Sequence, residues 1–334
     1  MTRLSFARMN ALSPWMLTLC LLGPVLPAAG AASSSDEAPL LQAGSCSVEG
    51  LMAQIRQGLG STSEAYKNYL RRLLNESAVL LPASELQAAF ERETDPALAE
   101  HLAAALVART ERGLESSAMD AVARRALGDA NPAVRAATVR ALRRTGALER
   151  TGELYERLVR DSSPEVRQEA ARNLIEDNRE VYGGRDNRAT DAAVMAAANS
   201  TDPQVTAQIL GQLETGAVGA GAARKLEQLL RSDAPEIRGA AAMALGGVPA
   251  SEMGSARESL LGMYRDETEP GVRKAILESV ARLGFSSAVP ELQRLRGVDP
   301  SLAPEIDAWI HVLGMNHQEW SLILREKQRL QQAR

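Results

Sequence analysis

Apolar residues in this chain recur at helical spacing, and one short phrase opens helix after helix. It reads Pro132-Ala-Val-Arg, Pro164-Glu-Val-Arg, Pro203-Gln-Val-Thr, Pro235-Glu-Ile-Arg and Pro270-Gly-Val-Arg, at spacings of 32, 39, 32 and 35 residues. Proline suits the first helical position, where its missing N–H costs nothing and its φ is already set. The residue two beyond each proline is Val or Ile, and Ala and Leu follow at helical intervals, as in Val166, Ala170 and Leu174. These positions form the inward stripe of an amphipathic helix. A second helical pattern precedes each phrase, as in Leu154, Leu158 and Val159, and the turn between them carries Asp and Ser, as in Asp161-Ser-Ser-Pro164. Each unit therefore reads as two antiparallel helices. Gly146, Gly216, Gly246 and Gly284 stand where second helices should stop, and glycine is the preferred left-handed terminator. Self-similarity at this period predicts an all-α solenoid of stacked helix pairs, roughly six or seven of them.

The flanks lack the phrase. Ser61-Thr-Ser-Glu64 reads as a capping box opening a helix with Tyr66, Tyr69, Leu70, Leu73 and Leu74 on one face. Pro82 interrupts, and Ser84 is placed to cap a helix carrying Leu86 and Phe90. Thr94-Asp-Pro96 begins a weaker copy of the phrase. The organisation expected is an N-terminal helical cap over 48–90, the array over 91–299, and capping helices over 300–334 with Trp320, Ile323 and Leu324 as an apolar stripe. The longest connection, Asp177 to Asp191, contains Gly183-Gly184-Arg185 and reads as a surface insertion, with a contact loop on the edge of the solenoid as the functional alternative.

The first 47 residues follow another pattern. Arg3 and Arg8 precede an apolar run from Trp15 to Leu26, and Ala29-Gly30-Ala31 follows. This is the three-part pattern of a secretory signal peptide over 1–31, before a flexible leader over 32–47. The run is too short for a spanning helix, which needs about 20 apolar residues, so no membrane span is expected after cleavage. The expected location is the periplasm or outside the cell. Cleavage would remove Cys20 and leave Cys46 alone, which excludes an internal disulfide framework and leaves open a disulfide dimer through Cys46.

Composition narrows the function further. Aromatic residues make up 3% of the chain and its formal charge is −4, falling to −6 once Arg3 and Arg8 are lost. An acidic balance argues against nucleic acid as the main partner, because phosphate binding needs a basic face. The three histidines, His101, His311 and His317, are widely spread, and there is no HExxH, CxxC, GxSxG or glycine-rich phosphate loop. No catalytic residue, cofactor or metal site is therefore expected.

The phrase Asp129-x-x-Pro132-x-Val134-Arg135, followed by Ala141-Leu142 and repeated at Asp161-x-x-Pro164-x-Val166-Arg167, resembles the HEAT repeat of the short, phycobilin-lyase type. Other copies depart from it: Asp202 and Asp233 lie closer to their prolines, and Thr206 replaces the arginine. The resemblance implies that the Asp and Arg positions pair within or between units. Asp129, Arg135, Asp161, Arg167, Arg238 and Arg273 then form a structural ladder. It also implies that second helices line a concave face. On that face Arg140, Arg172 and Met243 share one register position, with Arg143 and Arg144 nearby. These five are the candidate partner-binding residues, on a ridge basic at its N-terminal side and small or apolar in the middle, unless Glu169 and Glu176 neutralise the arginines. HEAT-type hydroxylases carry paired His-Glu motifs for iron, and this chain has none. The expected role is a non-catalytic scaffold or adaptor that holds a partner polypeptide in a bacterial cell envelope. The alternatives are a lyase-like enzyme subunit with a small ligand in the groove, and a structural envelope component.

Overall fold

A computed structural model describes residues 48–59, 63–77, 80–114, 117–143 and 148–332. The signal peptide, the leader, Cys46, Ser61, Arg144 and Gly146 lie outside them. Among the described residues every long element is a helix. The N-terminal helices are α1 (Val48–Leu59), α2 (Glu64–Ser77) and α3 (Ala83–Arg92). Helices that open on the proline phrase are α4 (Pro96–Glu111), α6 (Pro132–Ala141), α8 (Pro164–Glu176), α10 (Pro203–Gln212), α12 (Pro235–Leu245) and α14 (Pro270–Gly284). Between them run the first helices of the units: α5 (Ser117–Gly128), α7 (Leu148–Leu158), α9 (Asn187–Asn199), α11 (Ala220–Leu229) and α13 (Met253–Asp266). The chain closes with α15 (Val289–Val298), α16 (Ala303–Gly314) and α17 (Trp320–Gln332).

The helices form two layers. Each second helix packs on the next, from α4 through α6, α8, α10, α12 and α14 to α16, and the first helices pack likewise from α5 to α13. One apolar core runs the length of the stack, built from Val134, Val166, Val205 and Val272 of the phrase with Leu174, Ile209, Leu245 and Ile276 further along the second helices. At most steps the second helices pack more closely than the first, which puts them on the inner side of the curve. The step from α8 to α10 reverses this: there the first helices α7 and α9 are the closer pair.

The reversal coincides with the long connection. The insertion lies at the surface over most of its length but is anchored at its start: α8 continues into a π-helical turn, Asp177–Val181, and only then turns through Gly183 and Gly184, both at positive φ. Asn178 is fully buried there. Its Nδ2 donates to Thr190 Oγ1 at 3.0 Å and to the Glu214 carbonyl at 3.1 Å, and its Oδ1 accepts from the Glu214 N–H at 2.8 Å. The extra residues are thus bolted to the next unit.

Three local expectations need correction. Helix α2 is capped by Ser63, whose Oγ accepts from the Tyr66 N–H at 3.3 Å. Ser84 lies inside the first turn of α3, and Pro82 flanks that helix without a side-chain cap. Gly216, Gly246 and Gly284 are not left-handed; after α14 it is Phe285 that has a positive φ of 46°, with ψ −132°. Gly246 is needed for close approach instead, since a Cβ there would meet Ser279 at 2.9 Å.

The last helix leaves the alternation and folds back on α16. Trp320 stacks on the buried Trp309 at 5.5 Å and meets Phe285 edge-on, while Lys327 pairs with Glu305 and sits 4.1 Å above the Trp309 ring. No helix among the described residues is long and apolar enough to cross a membrane.

Candidate functional site

The turns before the prolines share one hydrogen bond. The side chain three residues before the proline accepts from the N–H of the residue just before it. This holds for Glu93, Asp129, Asp161, Ser200, Ser232 and Glu267. The turn thereby fixes a side-chain oxygen at the boundary of two units, where the preceding arginine reaches it. Arg135 forks onto Asp161 at 2.8 and 2.7 Å, and its third nitrogen donates to the Asp129 carbonyl at 2.7 Å. Arg238 forks onto Glu267 at 2.7 and 2.9 Å and donates to the carbonyls of Ser232 and Asp233. Arg167 binds Asp202 at 2.9 Å, because its turn has Ser200 at the usual carboxylate position. Arg273 reaches Asp299 at 3.2 Å.

Two rungs are built differently. Asp129 pairs with Arg125 of α5 at 2.8 Å, and this arginine also donates to the carbonyls of Phe90 and Glu93. Ala99 stands where the other units have arginine, so Arg125 fills that socket from the neighbouring helix. Between the units of Pro203 and Pro235 the rung is neutral. Thr206 replaces the arginine and turns inward to the Ala197 carbonyl at 2.9 Å, and Ser232 replaces the acid.

These contacts shift the acids. The hydrogen bond from Arg238 holds Glu267 below the usual carboxylate range, and that from Arg167 does the same for Asp202. Burial pushes Asp161 upward, but the Arg135 fork, the Ser163 N–H and the Arg167 charge together outweigh it and the net shift is down. The Ser301 hydroxyl, followed by Tyr264 and Arg273, lowers Asp299.

The ridge of second helices carries the candidate partner-binding residues. Arg140 of α6 contacts Glu100 at 2.9 Å, Glu169 at 3.3 Å and Glu165 at 3.7 Å. Arg143 contacts Glu169 at 3.2 Å, Glu176 at 3.6 Å and the Asn173 Oδ1 at 3.3 Å. Arg172 meets the same Glu169 at 3.2 Å. Glu169 is 9% exposed at its side chain, so three guanidinium groups converge on one nearly buried carboxylate. The structure brings these arginines together with enough acid to neutralise them. Met243 lies apart on α12, half-buried with its sulfur 3.9 Å from the Ser279 hydroxyl.

The sequence marked the Asp177–Asp191 connection as a candidate contact loop but did not show the hollow beside it. Where α8 and α10 splay, the ridge opens into a hollow of about 640 Å³. Its walls are Arg172, Glu176, Arg179 and Glu180 on one side and Gln208, Gln212 and Glu214 on the other. Among the described residues Arg179, Gln208 and Gln212 make no side-chain hydrogen bond or ion pair, in contrast to the saturated arginines beside them. The signal was the 39-residue spacing itself, which marks the one step where extra chain is wedged between units. No group of His, Cys, Asp and Glu among the described residues is arranged to hold a metal ion.

The family model described as HEAT repeats matches residues 151–246 and 223–304. Residues 151–304 of the chain thus form HEAT repeats. Among solved structures it is similar to the Escherichia coli protein YibA, at 15% identity over 78% of this chain and 92% of that one, with a TM-score of 0.37. An engineered protein shares 18% identity over 84% and 97% of the two chains, with a TM-score of 0.30. Human deoxyhypusine hydroxylase in complex with glycerol shares 19% identity over 79% and 94%, with a TM-score of 0.28. Identities this low and superpositions this loose speak to neither substrate nor partner. No curated protein matches the sequence.

Proposed function

We propose that this HEAT-repeat solenoid is a non-catalytic scaffold of the bacterial cell envelope, and that it holds a partner polypeptide along its second-helix face. One observation carries the reading: the hollow between α8 and α10 presents side-chain amides and a guanidinium that no described residue engages. Gln208 and Gln212 lie one turn apart on α10, so their amides follow one another along the helix face. Each amide offers both donors and an acceptor, the complement of a peptide backbone. Arg179 supplies a cation for a partner carboxylate or carbonyl.

The arginines of α6 and α8 take a different part in this reading. Arg140, Arg143 and Arg172 brace the wall of the hollow through Glu169. They influence the partner by holding α6 against α8. A double substitution, Gln208→Ala with Gln212→Ala, is predicted to weaken partner binding at least tenfold and leave the melting temperature nearly unchanged. Charge reversal of Arg140, Arg143 and Arg144 is predicted to lower stability and binding together. Unchanged affinity in the glutamine variant would remove the hollow from the binding surface. Export rests on the leader pattern of residues 1–31, and N-terminal sequencing of the exported protein tests it: a start near Ala32 is expected.

A further inference from the structure

The ladder arginines invite comparison with one another, and the last one differs. Arg135 and Arg238 each spend Nε and Nη2 on a carboxylate fork and Nη1 on a turn carbonyl. Arg273 is turned around. Its Nε donates to the Glu267 carbonyl at 2.6 Å, its Nη1 reaches Asp299 at 3.2 Å, and its Nη2 has no acceptor among the described residues. The guanidinium lies over the Tyr264 ring, 5.7 Å from its centre, and borders a cleft of about 530 Å³ between α13 and α15. This cleft is on the first-helix side, away from the hollow described above.

The charges around the cleft do not balance. Its two acids are spent: Glu291 on Arg257 at 2.7 Å, and Asp299 on Tyr264, Ser301 and Arg273. Its cations are not. Arg265 makes no side-chain contact with a described acceptor, and Arg294 has only a 3.4 Å contact to the Pro290 carbonyl of its own helix. Beside these three guanidinium groups stands an apolar wall of Leu261, Leu295 and Val298. Val298 is 76% exposed at the rim, while Leu295 is buried at its base, so the wall offers an apolar surface beside the cations.

We infer that this cleft is an anion site for a carboxylate carried next to an apolar group, with Arg265, Arg294 and the free edge of Arg273 receiving the carboxylate. Guanidinium is the side chain best matched to a carboxylate, through paired N–H donors. A cleft of this volume takes a ligand of a few residues' size. The chemistry fits the C-terminal end of a polypeptide whose last side chain is apolar, and equally a free apolar carboxylate. The inference does not rest on the partner reading of the α8–α10 hollow.

Calorimetric titration of the full exported chain tests it, with an N-acetylated tripeptide ending in leucine as free acid, the same peptide as C-terminal amide, and octanoate. The free-acid peptide is expected to bind, and the amide at least tenfold more weakly. Binding of the peptide acid alone assigns a polypeptide end; binding of octanoate as well assigns a free apolar carboxylate. The pair Arg265→Glu and Arg294→Glu, both exposed, is expected to lose at least tenfold in affinity with an unchanged circular dichroism spectrum. Gln208→Ala with Gln212→Ala is expected to bind the probe as the parent does. Equal binding of acid and amide, full affinity in the charge-reversed variant, or no binding of either acid would overturn the assignment.

Discussion

Replacing Arg238 by alanine asks how much one ladder rung holds. Its guanidinium forks onto Glu267, which is 3% exposed at its side chain, and donates to two carbonyls of its own turn. Removing one partner of a buried ion pair costs about 3–5 kcal/mol, because the other charge is left without compensation. Glu267 keeps the N–H groups of Thr268 and Glu269 at 2.9 and 2.8 Å, so the lower end applies, about 3 kcal/mol. The exposed Arg188–Asp186 pair is the control, and Arg188→Ala should cost far less, because solvent screens an exposed pair. The neutral rung at Thr206 and Ser232 supplies a further test, since it shows that a boundary without charges can be packed. Arg238→Met combined with Glu267→Gln should therefore cost less than the sum of the two single changes, with a coupling of at least about 1 kcal/mol. Urea melts give the overall loss. Hydrogen exchange across α12–α14 locates it, which matters because stacked repeats can open locally. A loss below about 1 kcal/mol for Arg238→Ala, or single costs that simply add, would refute the reasoning.

Other consequences follow from the same contacts. Asp161, Asp202, Glu267 and Asp299 all have folded pKa values below their unfolded ones, so their stabilisation is complete above the unfolded values of about 3.9–4.3 and is lost as pH falls through the folded values; the stability lost on replacing Arg135 or Arg238 by alanine should be constant from about pH 5 to 7 and shrink below about pH 4. Asn178→Ala should cost about 1–3 kcal/mol, since it removes the buried amide that holds the Glu214 N–H and carbonyl and the Thr190 hydroxyl, and should raise exchange in residues 177–191 first. Burial raises the pKa of Glu278, which has Lys327 nearby but no side-chain hydrogen bond among the described residues; Glu278→Gln should raise the melting temperature at pH 7, with the difference from the parent shrinking as the pH is lowered. Trp320→Ala should expose Trp309 and shift its fluorescence to the red in a Trp15→Phe background, where Trp309 is then the sole fluorophore of its kind.

The proline phrase made the stack legible because each of its positions has a single physical task. Proline opens the helix, Val or Ile enters the core, and arginine reaches the next turn. The same phrase misled where the task moved to another residue. Arg125 does the work of an absent arginine at Ala99 from a different helix, and no local pattern announces it. Glu267 and Asp299 serve as ladder acids, but only Glu267 has the three-residue spacing to its proline, and it is not an aspartate. The arginine ridge looked basic because sequence spacing shows which side chains share a face and not which acids arrive from neighbouring helices; Glu100 comes from the unit before and Glu169 from the unit after Arg140. The hollow was hidden for a similar reason. A 39-residue spacing reads as a loop, whereas the buried Asn178 pulls the extra residues into a π-turn that pushes α8 and α10 apart.

The central claim is that a polypeptide occupies the second-helix face. A photo-crosslinking amino acid placed at Gln212, at the rim of the hollow, tests it in the exporting cell, with the same group at the exposed Glu236 turn as control. A single near-stoichiometric polypeptide adduct is expected from position 212, absent from position 236 and lost when excess unlabelled partner is added. Equal adducts from both positions, or no polypeptide adduct from 212 and a small molecule retained by the purified protein, would contradict it.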